Sequence, residues 1–346
     1  MALVDRVTQL QLWLLPWTWY LLRIALRLVF ITVNNLYVIP AHFLWLLCLQ
    51  PVRILRPELF WRLEGIMFKW LLAQVGWWGY SAGYKIYECG EDISHTYSDE
   101  AIVIVNHQST ADVATLMAAL QHKGPVVRRM MWIMDYIFLY SNFGWCAWTH
   151  GDFFLQQGFS HANTPYCNLI QGQQYREVML KLLKDHLKTR YLNRNHQWII
   201  LFPEGGFLRK RRERSQKYAR KHNLPVLQHV VLPRIGALKT ILDSVGPPVT
   251  HRNGPLQENG QHIKWIVDIT IAYQDGRPLD IQTLVSTWRP PYPTTLHYRY
   301  FPISEVPRDE EGLTKWLYKR FEEKEELLSN FYSTGKFPPD NAESEK

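Results

Sequence analysis

The sequence predicts an α/β layered domain carried by a membrane-embedded N-terminal helical segment. Three observations lead there. No Asp or Glu lies between Asp5 and Glu58, and eight of the 15 tryptophans fall in the first 80 residues, the signature of an interface with lipid rather than of a water-soluble core. Beyond Tyr84, short runs rich in Val and Ile recur at intervals. Between those runs the apolar residues repeat every three or four positions. Strands that alternate with helices pack as layers.

Composition bounds the rest. A chain of 346 residues with 47% hydrophobic and 20% charged residues buries a core without disulfides and is not disordered. A mean hydropathy of -0.22 excludes a polytopic transporter. The 39 Lys and Arg outnumber the 31 Asp and Glu, for a net charge of +8, so the partner is anionic: nucleic acid, a membrane surface or a phosphorylated ligand. The four cysteines contain no CxxC pair and there is no Asn-x-Ser/Thr sequon. This fits a catalytic portion facing the cytosol and predicts no zinc ribbon or dithiol site.

The elements follow in chain order. Leu28–Leu49 is a run of 22 residues free of Asp, Glu, Lys and Arg, about 33 Å as a helix and enough to cross a bilayer's hydrocarbon core. It is too long and too far from the start for a signal peptide. Arg23 and Arg27 before it and Arg53 and Arg56 after it give no orientation, and Asn34, Asn35 and Pro40 allow a kinked or re-entrant helix. A buried helical hairpin is the bland alternative. Leu59–Trp78 is amphipathic, with Phe60, Leu63, Met67, Trp70 and Leu71 on one stripe, and is expected to lie on the membrane. Strands are expected at Tyr84–Cys89, Ala101–Val105, Trp198–Phe202, Val230–Leu232 and Lys264–Tyr273, and helices at Ala111–Leu120, Tyr175–Tyr191 and across Leu313–Phe331. The expected divisions are a membrane segment at 1–80, an α/β domain at 81–305, a C-terminal amphipathic helix at 306–333 and a polar tail at 334–346.

Two strand ends carry candidate chemistry. Ala101–Asp112 reads AIVIVNHQSTAD. On one continuous helix His107 and Asp112 would lie about 140° apart and could not meet. With His107 on the turn after a strand, and Ser109 or Thr110 capping the next helix, Asp112 in its first turn reaches back to the imidazole. That orients the ring and fixes its tautomer, as the acid of a Ser-His-Asp triad does. His107 alone among the 13 histidines has Asp five positions on, although a surface His beside a capping Asp would read the same. Trp198–Gly206 reads WIILFPEGG: a strand end, a carboxylate at Glu204, and Gly205 and Gly206, which let a ligand approach the backbone. A plain strand-end turn is its bland alternative. The run from Arg209 to Lys221 follows at once, with eight Lys or Arg against Glu213 alone. It is either a solvated helix face, a nucleic-acid patch, or a surface for lipid head groups or phosphate, and its place beside the turn favours the last.

NHQSTAD after one strand and FPEG after another resembles the glycerolipid acyltransferase family, most closely its lysophosphatidylglycerol branch. Gln216–Pro233 and Phe143–Gly158 are similar to two further blocks of that family, and NNLYVIP, MMWIMD, FPEGGFLRKRRE and the final helix are similar to the branch. The resemblance implies a layered acyltransferase domain. It also implies transfer of a fatty acyl group from acyl-CoA to the free hydroxyl of a lysophospholipid, at the endoplasmic reticulum, with acyl-CoA as co-substrate, no cofactor or metal, and no nucleic acid. His107 is then the general base and Asp112 its orienting acid. Asn106, Gln108, Ser109, His150, Gly151, Glu204, Gly205, Gly206, Arg209, Lys210, Arg211, Arg212 and Pro233 are the expected substrate contacts. Backbone N–H groups at the turn or helix N-terminus after His107 are the expected oxyanion donors. Two departures bear on the acceptor: His150 and Gly151 stand where the family has a phosphate-binding arginine, and Gly206 stands where it has Thr. Monoacylglycerol is the alternative acceptor.

The chemistry suits those residues. An alcohol attacks a thioester only as it loses its proton, a task for histidine, and a thiol of pKa near 8.5 leaves with little help. Two rivals stand apart. Gly79–Gly83 reads GYSAG, the letter pattern of a hydrolase elbow at Ser81, but a helical stretch precedes it where a strand is needed. A non-enzymatic lipid-binding membrane protein is the other.

Overall fold

The computed structural model describes residues 2–155, 173–248 and 262–339. The end of the Phe143–Gly158 block and most of the polar tail lie outside them.

Helix α1 (Ala2–Cys48) is 47 residues long. It runs unbroken through Pro40 where the sequence allowed a kink. The polar residues inside it are satisfied locally: Asn35 donates to Ile31 O at 2.9 Å, and Asn34 takes the Trp78 indole N–H at 3.0 Å. Trp17–Cys48, 32 residues with a mean hydropathy of 1.6, is long and apolar enough to cross a membrane, and 17% of that stretch's most apolar window is buried. Trp17, Trp19, Leu21, Leu26, Val29, Val33, Leu36 and Leu44 point outward, a surface suited to lipid rather than water. Helices α2 (Gln50–Leu55) and α3 (Pro57–Ser81) follow, each with a proline in its first turn, where the missing N–H costs nothing.

Part of the Leu59–Trp78 stripe expected to lie on a membrane is instead buried within the protein, while Leu59, Ile66 and Trp77 face outward. The stripe of α3 that contains Phe60, Phe68, Leu71, Leu72, Val75 and Trp78 is buried, and it packs against helix α4 (Asp112–Ala119). A Cβ on Gly76 would sit 3.2 Å from Ala118 Cα, so a larger residue there would press these two helices apart by a few tenths of an ångström. Ile31, Val38 and Ile39 of α1 join the same core.

Among the described residues, seven strands form one sheet in the order β1-β7-β6-β2-β5-β3-β4. They are β1 (Ile86–Gly90), β2 (Ala101–Val105), β3 (Met130–Asp135), β4 (Phe153–Leu155), β5 (Trp198–Leu201), β6 (Trp265–Tyr273) and β7 (Thr294–Pro302). All neighbours are parallel except β6 and β7. The central strands are buried on both faces, so they read as unbroken apolar runs. Alternate residues of β2 face opposite cores. Ala101, Val103 and Val105 pack with α3 and α4. Ile102 and Ile104 pack with α6 (Gln173–His186), α8 (Ile235–Val245) and α10 (Glu310–Thr334). The remaining helices are α5 (Asn142–His150), α7 (Leu208–Lys221) and α9 (Ile281–Ser286).

Val230–Leu232 is not a strand. Its three N–H groups donate to side chains: Val230 to Glu325, Val231 to Glu204 and Leu232 to Ser215, at 3.1, 3.2 and 3.0 Å. A segment whose donors are spent on carboxylates and a hydroxyl has none for a ladder.

Candidate active site

Strand register builds the site. β2 and β5 are parallel neighbours with Ile104 opposite Leu201. The third residue beyond each of these is His107 and Glu204, so the two motifs emerge side by side at the carboxyl ends of the central strands, where α/β folds place ligands. The His107 N–H donates to Glu204 Oε1 at 2.7 Å across 97 residues of sequence. The other Glu204 oxygen accepts from Val231 N. Burial pushes the Glu204 carboxyl well above its ordinary value. Its buried position makes it a brace between the two turns and not a hand extended to the acceptor.

His107 Nδ1 lies 2.8 Å from Asp112 Oδ2; the imidazole is 12% exposed and the carboxylate wholly buried. Oδ2 also accepts from Gln108 N at 2.7 Å and Ser109 N at 2.9 Å. Oδ1 faces the hydroxyls of Ser109 and Tyr273. Burial, and then the charge of Asp112, raise the Tyr273 phenol well above its ordinary value, so it stays protonated as a donor. The imidazole lies between the rings of Phe202 and Phe207, with centroids 4.1 and 4.4 Å away. Its Nε2 has no hydrogen-bond partner among the described residues. The ring thus has one nitrogen anchored and one available, the arrangement a general base requires.

This geometry corrects two expectations. Neither Ser109 nor Thr110 caps α4: Ala111 is the cap residue and forms no side-chain cap bond, and Asp112 itself gathers the loop's N–H groups. Of the donors expected for an oxyanion, those on the turn are also spent, His107 N on Glu204 and Gln108 N and Ser109 N on Asp112, which leaves the start of α4.

The other expected contacts divide. Asn106 is buried and extends the ladder beyond β2, donating to Ile271 O and accepting from Ile271 N at 3.0 and 2.7 Å. Gln108 is buried against Ile271 and the Tyr332 hydroxyl of α10. Pro233 is buried, and the next residue's N–H donates to Pro203 O at 2.8 Å. Gly205 and Gly206 have φ of 67° and 150°, a backbone that favours glycine. Arg209, Lys210 and Arg212 are exposed, while Arg211 is half-buried and donates to Gly205 O at 2.9 Å.

His150 and Gly151 do not line an acceptor cleft. His150 is buried, Nδ1 facing Glu64 at 2.9 Å, Nε2 facing Met130 O at 2.9 Å, and its ring stacked on Phe68. Burial alone would lower its pKa, but the Glu64 charge and hydrogen bond prevail and raise it. With both nitrogens taken, it has none to offer a substrate. Gly151 closes α5 at φ 107°, and a Cβ there would press on Arg194 and His196. Sequence reading missed Tyr273, Tyr332, Phe202 and Phe207. The phenylalanines adjoin a motif and were within reach. The tyrosines lie far along the chain and gave no local signal.

The comparisons with known proteins bear on this pair. A family model described as "Acyltransferase" matches residues 87–236, and one described as "Acyltransferase C-terminus" matches 288–346. Acyl-CoA:lysophosphatidylglycerol acyltransferase 1 of Homo sapiens is 49% identical over 337 residues, covering 95% of this chain and 87% of that protein. The chain belongs to the acyltransferase family. The same-named Mus musculus protein is 48% identical, over 95% of this acyltransferase and 87% of its own length. Lysocardiolipin acyltransferase 1 of Danio rerio is 24% identical over 83% of this chain and 66% of its own. Among solved structures, the 1-acyl-sn-glycerophosphate acyltransferase of Thermotoga maritima has a TM-score of 0.44 at 14% identity, covering 86% of this acyltransferase and 97% of that chain.

Proposed function

We propose that this acyltransferase moves a fatty acyl group from acyl-CoA to the free hydroxyl of a lysophospholipid, with lysophosphatidylglycerol the first acceptor to test. The observation that carries the reading is the His107–Asp112 pair with Nε2 unengaged, in a chain that shares 49% identity with a protein named for that acceptor. His107 Nε2 takes the hydroxyl proton as the acceptor oxygen attacks the thioester carbonyl. The tetrahedral intermediate collapses, the carbon–sulfur bond breaks, and the proton passes from His107 to the departing CoA sulfur. Asp112, held by the turn and by Tyr273, stabilises the transient imidazolium. The balance needs no cofactor and no covalent acyl-protein intermediate.

We place the protein in the endoplasmic reticulum membrane with the α/β domain facing the cytosol. The outward apolar face of α1 supports the membrane, and the unbridged cysteines Cys48 and Cys146 fit a reducing compartment. The test is release of free CoA from membrane-reconstituted protein over a matrix of lysolipids, monoacylglycerol and acyl-CoAs. Wild type is expected to release CoA only with an acceptor present. His107→Ala is expected to fold, stay membrane-bound and lose transfer. Retained transfer in that variant sinks the mechanism, and fatty acid release without acceptor points to a hydrolase.

A further inference from the structure

Helix α5 runs beside the second half of the apolar stretch of α1. The Asn142 amide donates to Asn35 Oδ1, and His42 Nε2 meets Thr149 Oγ1, each at 3.3 Å. Both partners advance by seven residues from the first pair to the second, so the two helices run parallel for two turns, about 10 Å. Around the α5 axis, Trp145 and Trp148 lie about 50° and 110° from the line that meets α1, on the other side of it from the buried Cys146 and His150. The two indoles are 53% and 60% exposed. The turn that leads into α5, Tyr136–Tyr140, adds Ile137, Phe138 and Tyr140, all exposed.

The chemistry of this ledge says what covers it. From 136 to 151 there is no Asp, Glu, Lys or Arg, so a partner that reads charge finds none. The polar side chains are satisfied inside the fold. Ser141 donates to Phe138 O at 2.6 Å and accepts from Gly144 N at 3.0 Å, Asn142 accepts from Phe143 N at 2.8 Å, and Thr149 donates to Cys146 O at 2.8 Å. Lipid demands this of any segment that it covers. Tryptophan and tyrosine are the side chains that settle where acyl chains meet head groups. The ledge also continues a lipid-suited face, since Leu36 and Leu44, close to the paired Asn35 and His42 along α1, are exposed. Finally, β3 is a parallel neighbour of β5, so the turn that leaves its carboxyl end lies on the sheet edge from which His107 and Glu204 emerge.

We propose that residues 136–148 are a second lipid-inserted element, a ledge of aromatic side chains seated in the interfacial layer of a phospholipid bilayer beside α1. The α/β domain is then not held off the membrane on a helical stalk. Its sheet edge is drawn down to lipid with α5, and an acceptor bearing a fatty chain can meet His107 with that chain still in the bilayer. Having no charged side chain, the ledge takes neutral and anionic lipid alike and keeps its hold at high salt. The insertion rests on the membrane reading of α1; the consequence for the acceptor rests on the acyl-transfer reading.

The test uses full-length protein in phosphatidylcholine vesicles, with a fluorophore attached through Trp148→Cys, through Leu36→Cys on α1, or through Lys315→Cys on the exposed side of α10. Each is made with Cys48→Ser, Cys89→Ser and Cys167→Ser. Lipids carrying a nitroxide on the acyl chain are expected to quench the labels at 148 and 36 alike, at low and high salt, and to spare the label at 315. Quenching at 36 without quenching at 148 overturns the proposal; if the 148 label is then also shielded from aqueous iodide, a protein partner or a second copy covers the ledge. No quenching at 36 removes the membrane reading of α1 and the ledge with it. In the transfer assay, Trp145→Lys with Trp148→Lys is expected to raise the KM for vesicle-borne lysophospholipid about tenfold, with the KM for acyl-CoA and the thermal midpoint in detergent unchanged. An unchanged KM for the vesicle-borne acceptor overturns the role given to the ledge. If the 148 label is quenched but no CoA is released, the acyl-transfer reading fails and the lipid insertion stands.

Discussion

Replacing Asp112 by Asn and by Ala should give two different failures. The carboxylate faces five donors: His107 Nδ1, the N–H groups of Gln108 and Ser109, and the hydroxyls of Ser109 and Tyr273. The three N–H donors converge on Oδ2 and the two hydroxyls on Oδ1. An Asn with its oxygen at the Oδ2 position keeps all three N–H bonds. Its amide N–H₂ then meets hydroxyls, which can turn and accept. The turn and the imidazole tautomer survive, and what is lost is the negative charge opposite the imidazolium. A hydrogen bond to a charged group contributes about 1.5–3 kcal/mol, so kcat should fall about 10- to 10²-fold with stability little changed.

Ala leaves Gln108 N and Ser109 N without partners at buried residues, and His107 Nδ1 without its own. At about 1–3 kcal/mol each, the sum approaches the whole stability of a typical domain. Asp112→Ala should therefore be recovered poorly or unfolded. CoA release measured with a thiol reagent, beside a thermal midpoint in detergent, separates the two outcomes. Wild-type kcat in Asp112→Asn, or a stable and active Asp112→Ala, refutes the reasoning.

Four further expectations follow from the same contacts. Tyr273→Phe removes one hydroxyl donor to a carboxylate, a bond of about 1.5–3 kcal/mol, and should lower kcat about 10- to 10²-fold with both KM values unchanged; a KM effect would place the phenol in a substrate site. Burial raises the Asp152 carboxyl to about 7, against the pull of His150 and the Trp132 N–H. The native state then holds a proton that the unfolded chain releases above its ordinary 3.8, so stability falls as pH rises from about 4 to 7 and levels off above, by no more than about 4 kcal/mol. Asp152→Asn should lessen that fall, and the slope left would belong to Glu204 and His150, whose raised pKa values act in the same direction; parallel midpoint curves would exclude the assignment. His150→Ala leaves Glu64 buried and unpaired at about 3–5 kcal/mol and should lower the midpoint without moving the KM for lysolipid in the folded fraction. Ser81 accepts from Arg27 Nη1 at 2.7 Å and donates to Trp77 O at 2.6 Å, so Ser81→Ala should cost about 1 kcal/mol of stability and leave transfer intact; abolished transfer would revive the elbow reading.

What the sequence revealed tracks how local each signal is. The strand at Ala101–Val105 was legible because burial on both faces makes an apolar run, and the His107–Asp112 pair because a strand end and a helix start fix a five-residue reach. The α10 stripe and the long apolar helix were legible by periodicity and length. Strand β7 was missed because Thr294–Pro302 alternates polar and aromatic residues beside prolines. Val230–Leu232 read as a strand because apolarity says nothing of where N–H groups go. Glu204 was singled out, but its role was not: a brace to His107 exists only once two strands are in register. His150 looked like a substitute for a missing arginine, and only tertiary structure shows Glu64, 86 residues away, claiming it.

The site is fastened from its far end. Glu325 of α10 holds the N–H groups of Gln228, His229 and Val230, and Tyr332 holds Gln108. Val231, next in line, holds Glu204, and Glu204 holds His107. Helix α10 follows every other element, while α1, the segment that seeks the bilayer, is synthesised first. Chains fold from the N-terminus as they emerge. The apolar helix is therefore made before the His107 turn is braced, and a prematurely stopped chain would carry that helix without the contacts that fix the His107 turn.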